Sequence, residues 1–321
     1  MWRAFGDVPN YVEPFFGSGA VLLGRPGEPR TETINDLDGY VANFWRAIKG
    51  DPQGVAQWAD STVNESDLTA RHIWLVERRE MLRAKLAGDA EWFDAKVAGW
   101  WVWGICCWIG SEFCSGKGPW WIDEDRQLVH LGNAGRGVNR KLVHLGDAGR
   151  GVNRQLVHLG SAGQGVKRQL VHLGDGRGAA LQEWFGALAS RMRRVRVASG
   201  DWSRVVTNSV TRVHGLTGVF LDPPYDDGAI DYVSGSRVSA DVRAWAVDNG
   251  DDPMLRIALC GYDGEHEMPK SWTEHAWKAQ GGFGSQRRTG KTKNENSRRE
   301  RIWFSPHCLP IQEQTSMSGT E

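Results

Sequence analysis

The order of predicted elements in residues 10–49 constrains the fold of this chain more than any other feature. A short apolar stretch at Tyr11 and Val12 leads into the glycine-containing segment FFGSG at residues 15–19. Residues 32–36 (ETIND) are typical of a second strand, and apolar side chains at helical spacing follow over residues 38–49. Strand, glycine turn, helix, strand and helix in this order predict an α/β fold with a parallel sheet.

The same pattern resumes in the second half of the chain. We predict helices over residues 180–193 and 240–248, and strands over residues 194–199, 218–221, 254–260 and 301–305. Residues 52–121 between the halves are mostly helical in pattern, with one helix over 73–86 and a tryptophan-rich helix over 91–108. We therefore expect one sheet built from residues 1–50 and 180–307, an inserted region over residues 51–179, and a flexible tail over residues 308–321.

Composition narrows the class of protein. Of the 321 residues, 40% are hydrophobic and 24% are charged, which is typical of a globular chain and excludes a wholly disordered one. No apolar run is long enough to span a membrane, and residues 1–7 lack the apolar core of a secretion signal. The cysteines have no paired spacing, so we expect a cytoplasmic protein with free thiols, buried where they occur in the apolar stretch. They are Cys106, Cys107, Cys114, Cys260 and Cys308.

An internal repeat occupies residues 126–176. A unit that begins at Arg126 recurs from Arg140, Arg154 and Arg168, and each copy joins the β-prone stretch LVHL to a glycine-rich turn. The pattern favours hairpins or stacked strands, although a passively expanded loop remains an alternative. One histidine recurs in each unit, and we expect it to form hydrogen bonds or to face phosphate rather than to bind zinc. These histidines are His130, His144, His158 and His172.

Positive charge is concentrated in two segments of a chain whose formal net charge is zero. Residues 127–178 contain eight basic and two acidic side chains, and residues 286–303 contain seven basic and two acidic ones. Such clusters are typical of a surface that binds a polyanion, and a solvated loop surface is the alternative.

The segment FFGSG and the acid Asp36 suggest a nucleotide site. Gly17 and Gly19 at a strand-to-helix turn allow a ligand to approach the backbone closely. An acid at the end of the next strand is well placed to accept hydrogen bonds from a ribose diol. Together they indicate a cofactor that contains adenosine, whereas the alternative role of Asp36 is to cap the helix over residues 38–49.

The segment DPPY at residues 222–225, directly after an apolar strand, indicates the chemistry. Two prolines make this loop rigid and leave carbonyl groups free to accept hydrogen bonds. Asp222 and the Pro223 carbonyl could therefore hold an exocyclic amino group, while Tyr225 stacks on its ring. An ordinary proline-rich turn is the alternative.

The two motifs together, VEPFFGSGAVLL followed by GVFLDPPY, resemble the Dam-like, class-alpha DNA adenine-N6 methyltransferases. The resemblance covers residues 8–50 and 180–305, and residues 51–179 lie where such enzymes carry their target-recognition region. It implies a Rossmann-like catalytic sheet, the cofactor S-adenosyl-L-methionine, and direct attack of the amine with neither a metal nor a covalent intermediate. The implied catalytic residues are Asp222, Pro223, Pro224 and Tyr225, and the implied cofactor-binding residues are Glu13, Pro14, Phe15, Gly17, Gly19, Asp36, Asp201, Trp202 and Asp222.

The same resemblance implies double-stranded DNA with a flipped target base as the partner. We expect the basic segments to contact that DNA through Arg136, Arg140, Lys141, Arg150, Arg154, Lys167, Arg168, Arg287, Arg288 and Lys291. We also expect a monomer, with a dimer as the alternative, in the cytoplasm of a bacterium or of a phage-infected cell. The sequence does not indicate whether a restriction endonuclease accompanies it.

Two alternatives to this activity stay open at the level of sequence. The motifs are also compatible with methylation of cytosine N4. Members of the family usually begin with a Gly-Gly-Lys segment, whereas this sequence begins at Met1, inside the helix that would follow. The second alternative is therefore a DNA-binding protein derived from a methyltransferase that has lost cofactor binding, unless another residue such as Lys117 replaces the missing lysine.

Overall fold

The computed structural model describes residues 1–108, 113–114, 120–122, 128–130, 177–224, 235–276 and 299–311. Its strands are β1 (Asn10–Glu13), β2 (Thr31–Asp36), β3 (Trp120–Ile122), β4 (Leu128–His130), β5 (Val195–Ser199), β6 (Thr217–Leu221), β7 (Leu255–Tyr262), β8 (Thr273–Ala276) and β9 (Glu300–Phe304). Its α-helices are α1 (Trp2–Phe5), α2 (Ala20–Leu23), α3 (Gly39–Gly50), α4 (Pro52–Ala59), α5 (Glu65–Glu77), α6 (Arg79–Gly88), α7 (Ala95–Cys107), α8 (Arg177–Met192), α9 (Asn208–Thr211) and α10 (Gly235–Asn249). None of these helices combines the length and the apolar composition that crossing a bilayer requires.

A seven-stranded sheet organises the fold, with the strand order β5-β2-β1-β6-β7-β9-β8. The first five of these strands are parallel, and β9 runs antiparallel to both β7 and β8. Strand β5, from the second half of the chain, pairs with β2 from the first half, so both halves form one sheet. The predicted α/β, Rossmann-like fold is confirmed.

Apolar side chains cover both faces of this sheet, which explains why its central strands are almost continuously apolar. All five residues of β6 are buried. Helix α3 packs Phe44, Trp45 and Ile48 into the larger of two apolar clusters. The smaller cluster joins buried residues of β6 and β7 to α10 on the other face. Parallel strands between two helical layers must bury both faces, so the sheet is rigid and its edges can position loops.

Helix boundaries differ from the predictions where a polar side chain satisfies the first backbone amides. The carboxylate of Asp38 accepts a hydrogen bond from the Tyr40 amide at 2.9 Å and begins α3. Asp94 does the same for Val97 at 2.9 Å, so α7 begins at Ala95 and not at residue 91. The single helix predicted over residues 73–86 is wrong, because α5 ends at Glu77 and α6 begins at Arg79.

Strand β4 falls within the first 14-residue unit. It comprises the Leu-Val-His of that unit and pairs antiparallel with β3, with Trp120 opposite His130. The β-prone stretch of the first unit is therefore a strand as predicted, but its partner precedes the repeats. The remaining repeat units, with His144, His158 and His172, lie outside the described residues.

Tryptophans and cysteines in α7 and shortly after it pack in the interior. Trp101, Trp103 and Trp108 are buried, as are Cys106, Cys107 and Cys114, so the predicted burial of these three cysteines is confirmed. Trp100 differs, because it is half-buried and lies 4.3 Å from the ammonium of Lys96. In the part of the chain that the structure describes, no group of three or more His, Cys, Asp or Glu side chains could hold a metal ion.

The start of the predicted flexible tail needs a correction. The amide of Leu309 donates a hydrogen bond to the Ala4 carbonyl at 2.8 Å, and the thiol of Cys308 lies 3.4 Å from the Ile257 carbonyl. Ile311 also packs against the larger apolar cluster. Residues 308–311 therefore belong to the folded part of the chain, because these contacts tie them to α1 and β7.

Candidate active site

Four loops meet where β1, β2, β5 and β6 end. These strands are parallel neighbours, so their carboxyl ends lie at the same edge of the sheet. The loops that follow them carry the residues predicted for the site: 14–19 after β1, 37–38 after β2, 200–202 after β5 and 222–224 after β6. This edge is where open α/β sheets bind their ligands.

The glycine loop after β1 has a backbone that requires glycine at two positions. Gly17 and Gly19 have φ angles of 48° and 70°, which lie in the left-handed region. A Cβ atom on Gly19 would lie 2.6 Å from the ring of Phe16, whereas one on Gly17 would meet no atom within 4 Å. Gly19 therefore serves the packing of the loop, and Gly17 faces open space in which a ligand could approach the backbone.

The carboxylate of Asp36 joins this loop to the start of α3. One oxygen accepts a hydrogen bond from the Gly17 amide at 2.9 Å, and the other accepts from the Asp38 amide at 2.8 Å. The helix cap is Asp38, so the alternative role considered for Asp36 is wrong. Burial raises the pKa of Asp36 to about 6, and the donated backbone hydrogen bonds limit that rise.

Asn35 is a residue that the sequence analysis did not identify. Its side-chain amide donates to the carbonyl of Pro14 at 3.0 Å and to that of Gly200 at 2.9 Å. The backbone carbonyl of Asn35 accepts a hydrogen bond from the Phe16 amide at 3.0 Å. Asn35 thus holds the loops after β1 and β5 at a fixed separation. The signal in the sequence was a polar side chain inside a strand, next to the predicted acid.

Trp202 and Phe15 form an aromatic pair across the same two loops. Their ring centroids are 6.3 Å apart with an interplanar angle of 28°. The carboxylate of Asp201 accepts from the Ser203 amide at 3.0 Å, which begins a short 3₁₀ helix and orients Trp202. Leu37, which was not predicted, is 64% exposed directly after Asp36. An apolar side chain left in solvent beside a carboxylate and an aromatic pair is typical of a surface that a ligand covers.

Glu13 and Asp222 lie at the ends of the neighbouring strands β1 and β6. Glu13 is buried and accepts a hydrogen bond from the Tyr11 hydroxyl at 2.9 Å. Burial raises the pKa of Glu13 well above its usual value, and the negative charges of Asp222 and Asp36 raise it further. Asp222 itself is exposed, while Pro223 is buried and anchors the loop. Tyr225 lies outside the described residues.

Comparison with known protein families gives a match for the N-terminal part of the chain. Residues 3–87 match the model of the D12 class N6 adenine-specific DNA methyltransferase family. This part of the chain is similar to that family, and the match supports assignment to the adenine-N6 DNA methyltransferases. The matched residues include the glycine loop, Asn35 and Asp36. Comparison with curated proteins gives no significant match.

The activity follows from the family. The methyltransferase transfers a methyl group to the N6 amine of adenine in DNA, and methylation of cytosine N4 is not favoured. The reaction requires a methyl donor and a DNA substrate. The glycine loop and Asp36, which were predicted as a cofactor site, lie inside the matched region.

The predicted DNA-contacting residues of the methyltransferase are untested. All ten basic side chains named for that role, between Arg136 and Lys291, lie outside the described residues. Lys117 also lies outside them. Their contact with DNA remains a prediction.

Proposed function

We propose that the methyl donor of this adenine-N6 methyltransferase is S-adenosylmethionine, bound at the carboxyl edge of β1, β2 and β5. When bound, it supplies a methyl group activated by a sulfonium. Three features of this edge suit it: the open space in front of Gly17, the carboxylate of Asp36, and the exposed apolar side chain of Leu37. Asp36 would accept hydrogen bonds from the ribose hydroxyls, since a carboxylate accepts but does not donate when ionised.

The adenine of the donor would lie beside Asp201 and Trp202. The Phe15–Trp202 pair supplies a flat aromatic surface, and stacking of rings favours such a surface. Asp201 would accept from the amino group of that adenine. Glu13, Pro14, Gly17 and Gly19 would shape the floor of the site through the backbone of the glycine loop.

The second substrate, the target adenine of DNA, would bind beside Asp222. The target adenine would leave the duplex, which costs a few kcal/mol of stacking and pairing energy. Asp222 and the Pro223 carbonyl would accept hydrogen bonds from its N6 amine and orient the lone pair, while Pro224 and Tyr225 complete the pocket. Alignment and electrostatics can supply most of such a rate enhancement. The observation that supports this role is an exposed carboxylate at the end of a buried strand next to the glycine loop.

Different segments of the chain would perform catalysis and target recognition. We assign catalysis to residues 1–50 and 180–307, and target recognition to residues 51–179. The basic residues of the repeats and of residues 287–291 would contact the phosphates of double-stranded DNA. The protein would act as a monomer, because one chain contains both proposed substrate sites.

The variant Asp222→Ala tests the catalytic assignment. Methyl transfer should fall by at least about a hundredfold, as expected when an electrostatic partner of the reacting group is removed. Donor affinity and the melting temperature should change little, since Asp222 is exposed. The matched control is Asp248→Ala, which removes an exposed acid from α10. Transfer of labelled methyl to DNA, with N6-methyladenine identified by mass spectrometry, is the measurement, and activity within tenfold of the parent would refute the role.

A further inference from the structure

A cleft opens at the opposite edge of the sheet, where β1, β2 and β5 begin. Its volume is about 580 Å³, and its lining includes Thr31, Thr33, Arg194, Arg196 and Ser209. The proposed substrate site lies at the carboxyl ends of the same strands, so the cleft is separate from it. A volume of roughly 300–1,000 Å³ is typical of sites for small molecules.

The floor of the cleft is formed by one face of the paired strands β2 and β5. Arg196 is directly opposite Thr33 in the register, and Val195 is opposite Glu32. Because side chains alternate between the faces of a strand, Arg194 and Arg196 share the face of Thr33, while Val195 is buried on the other face. Two guanidinium groups therefore lie beside the threonine hydroxyls.

These two arginines are not neutralised within the described part of the chain. Arg194 and Arg196 are exposed, and their guanidinium groups make no hydrogen bond or ion pair with any described residue. Glu32 also lines the cleft, but its carboxylate is buried on the other face of the sheet and pairs with Arg25 at 3.0 Å and Arg191 at 2.7 Å. The positive charge at the mouth of the cleft is thus available to a ligand.

An apolar wall completes the cleft. Pro9, Pro29 and Val210 line it together with the arginines, and His214 also belongs to the lining. Guanidinium groups form paired hydrogen bonds with phosphate oxygens, and hydroxyls add further donors. Two adjacent arginines match a ligand with more than one phosphate, and the apolar wall matches a flat ring.

We propose that this cleft binds the phosphate chain of a nucleotide-sized ligand at a site separate from the methyl donor and the target base. The site would give the methyltransferase a second small-molecule ligand, independent of the chemistry assigned to Asp222. The arginines would hold the phosphates, and the prolines with Val210 would contact the remainder of the ligand.

Inorganic triphosphate is the probe, because it lacks the adenosine that the proposed donor site would recognise. We expect calorimetry on the full chain to detect binding at submillimolar concentration, and the double variant R194A/R196A to weaken it by at least about tenfold. The control K85A/K270A removes two positive charges from other exposed positions and should bind within about twofold of the parent. D36A, which alters the proposed donor site, should also bind normally.

Several outcomes would overturn the proposal. Unchanged triphosphate affinity in the arginine variant would remove the site, and so would the absence of binding to the parent at millimolar concentration. Binding of a short duplex through these arginines without binding of triphosphate would make the cleft a DNA surface instead. If R194A/R196A does not melt like the parent, R194Q/R196Q replaces it, since glutamine keeps the length and polarity of the side chain.

Discussion

The carboxylate of Asp36 accepts a hydrogen bond from the backbone amide of Gly17 at 2.9 Å, and this contact joins the second strand to the glycine loop of the first. The same carboxylate also accepts from the Asp38 amide at 2.8 Å. Asp36 therefore shapes the proposed donor site before any ligand is present. Asp36 thus has a structural role in the loop and a proposed role in donor binding. As the pH changes, its protonation should affect donor binding and protein stability in opposite directions.

Donor binding should depend on pH through Asp36. Burial raises the pKa of this carboxyl to about 6, so it is ionised above that pH and protonated below it. A protonated carboxyl is a weaker acceptor for ribose hydroxyls, and we expect S-adenosylmethionine affinity to fall about tenfold between neutral pH and about pH 5. Calorimetry without DNA over this range is the measurement. Asp36→Asn should bind more weakly at neutral pH and lose most of the pH dependence.

Stability should respond with the opposite sign. Because the pKa of Asp36 in the folded protein is higher than in the unfolded chain, folding favours the protonated form. This contribution to stability is fully present below about pH 4 and is lost as the pH rises to about 6. Urea unfolding of the parent and of Asp36→Asn at several pH values isolates the contribution. Identical pH profiles for the two proteins would contradict the assignment.

Replacement of Gly19 should destabilise the protein through backbone strain and through a steric clash. Gly27, which has a similar φ but no neighbouring atoms, shows the effect of the strain alone. Gly19→Ala forces a Cβ into the left-handed region and places it 2.6 Å from the Phe16 ring, which packs on Trp45. Gly27 has a φ of 78° but open space around it. Gly27→Ala should cost about 1–2 kcal/mol of unfolding free energy from backbone strain alone.

The clash should add to that strain only at Gly19. Moving a packed ring costs about 1–3 kcal/mol more, so Gly19→Ala should be the less stable variant and should bind the donor more weakly. Urea unfolding and donor titration of both variants provide the comparison. Equal stability losses would mean that Phe16 yields without cost and that the glycine serves the backbone conformation only.

Local patterns predicted the parts of the site that lie within one turn or strand end. The glycine loop and Asp222 each follow a strand directly, Asp36 is the last residue of one, and the residue types around them indicate the turns. Asn35 was missed because its partner Gly200 is 165 residues away along the chain, and no local pattern encodes that contact. Strand β8 was missed as well, since its residues Thr-Glu-His-Ala are mostly exposed and lack apolar alternation.

A buried network of charges shows the same limit of sequence reasoning. Glu32 accepts from Arg25 seven residues before it and from Arg191 that is 159 residues away, so only the folded sheet reveals that these charges pair. The break between α5 and α6 was hidden for another reason. Apolar side chains keep their helical spacing across Arg78, so the sequence pattern continues where the helix is interrupted.

Removal of Glu32 should therefore destabilise the protein strongly. The carboxylate is fully buried between Arg25 and Arg191, at 3.0 and 2.7 Å, so Glu32→Ala leaves two guanidinium groups without their partner. Breaking a buried pair in this way costs about 3–5 kcal/mol. The control is Asp7→Ala, which breaks an exposed pair with Arg30 and should cost less than about 1 kcal/mol. Urea unfolding of both variants is the measurement, and similar losses would show that the buried network is dispensable.

The last prediction concerns the 14-residue repeats, whose basic side chains we assign to the DNA backbone. Deleting residues 140–167 removes two whole units and keeps the phase of the repeat. It removes five basic residues and one acidic residue: Arg140, Lys141, Arg150, Arg154, Lys167 and Asp147. If all five basic side chains contact phosphates, the dependence of log affinity on log salt should flatten by up to about 4–5, at roughly 0.9 per contact.

DNA binding measured at several salt concentrations, for the deletion and the parent, tests this assignment. The methylated sequence and the donor affinity should stay the same, because near-identical units offer no varied set of side chains to read bases and phosphate contacts carry no sequence information. An unchanged salt dependence and affinity would indicate that the repeats are a passively expanded loop. A changed target sequence would indicate that they contact base edges, and then specificity, not affinity alone, would depend on the number of units.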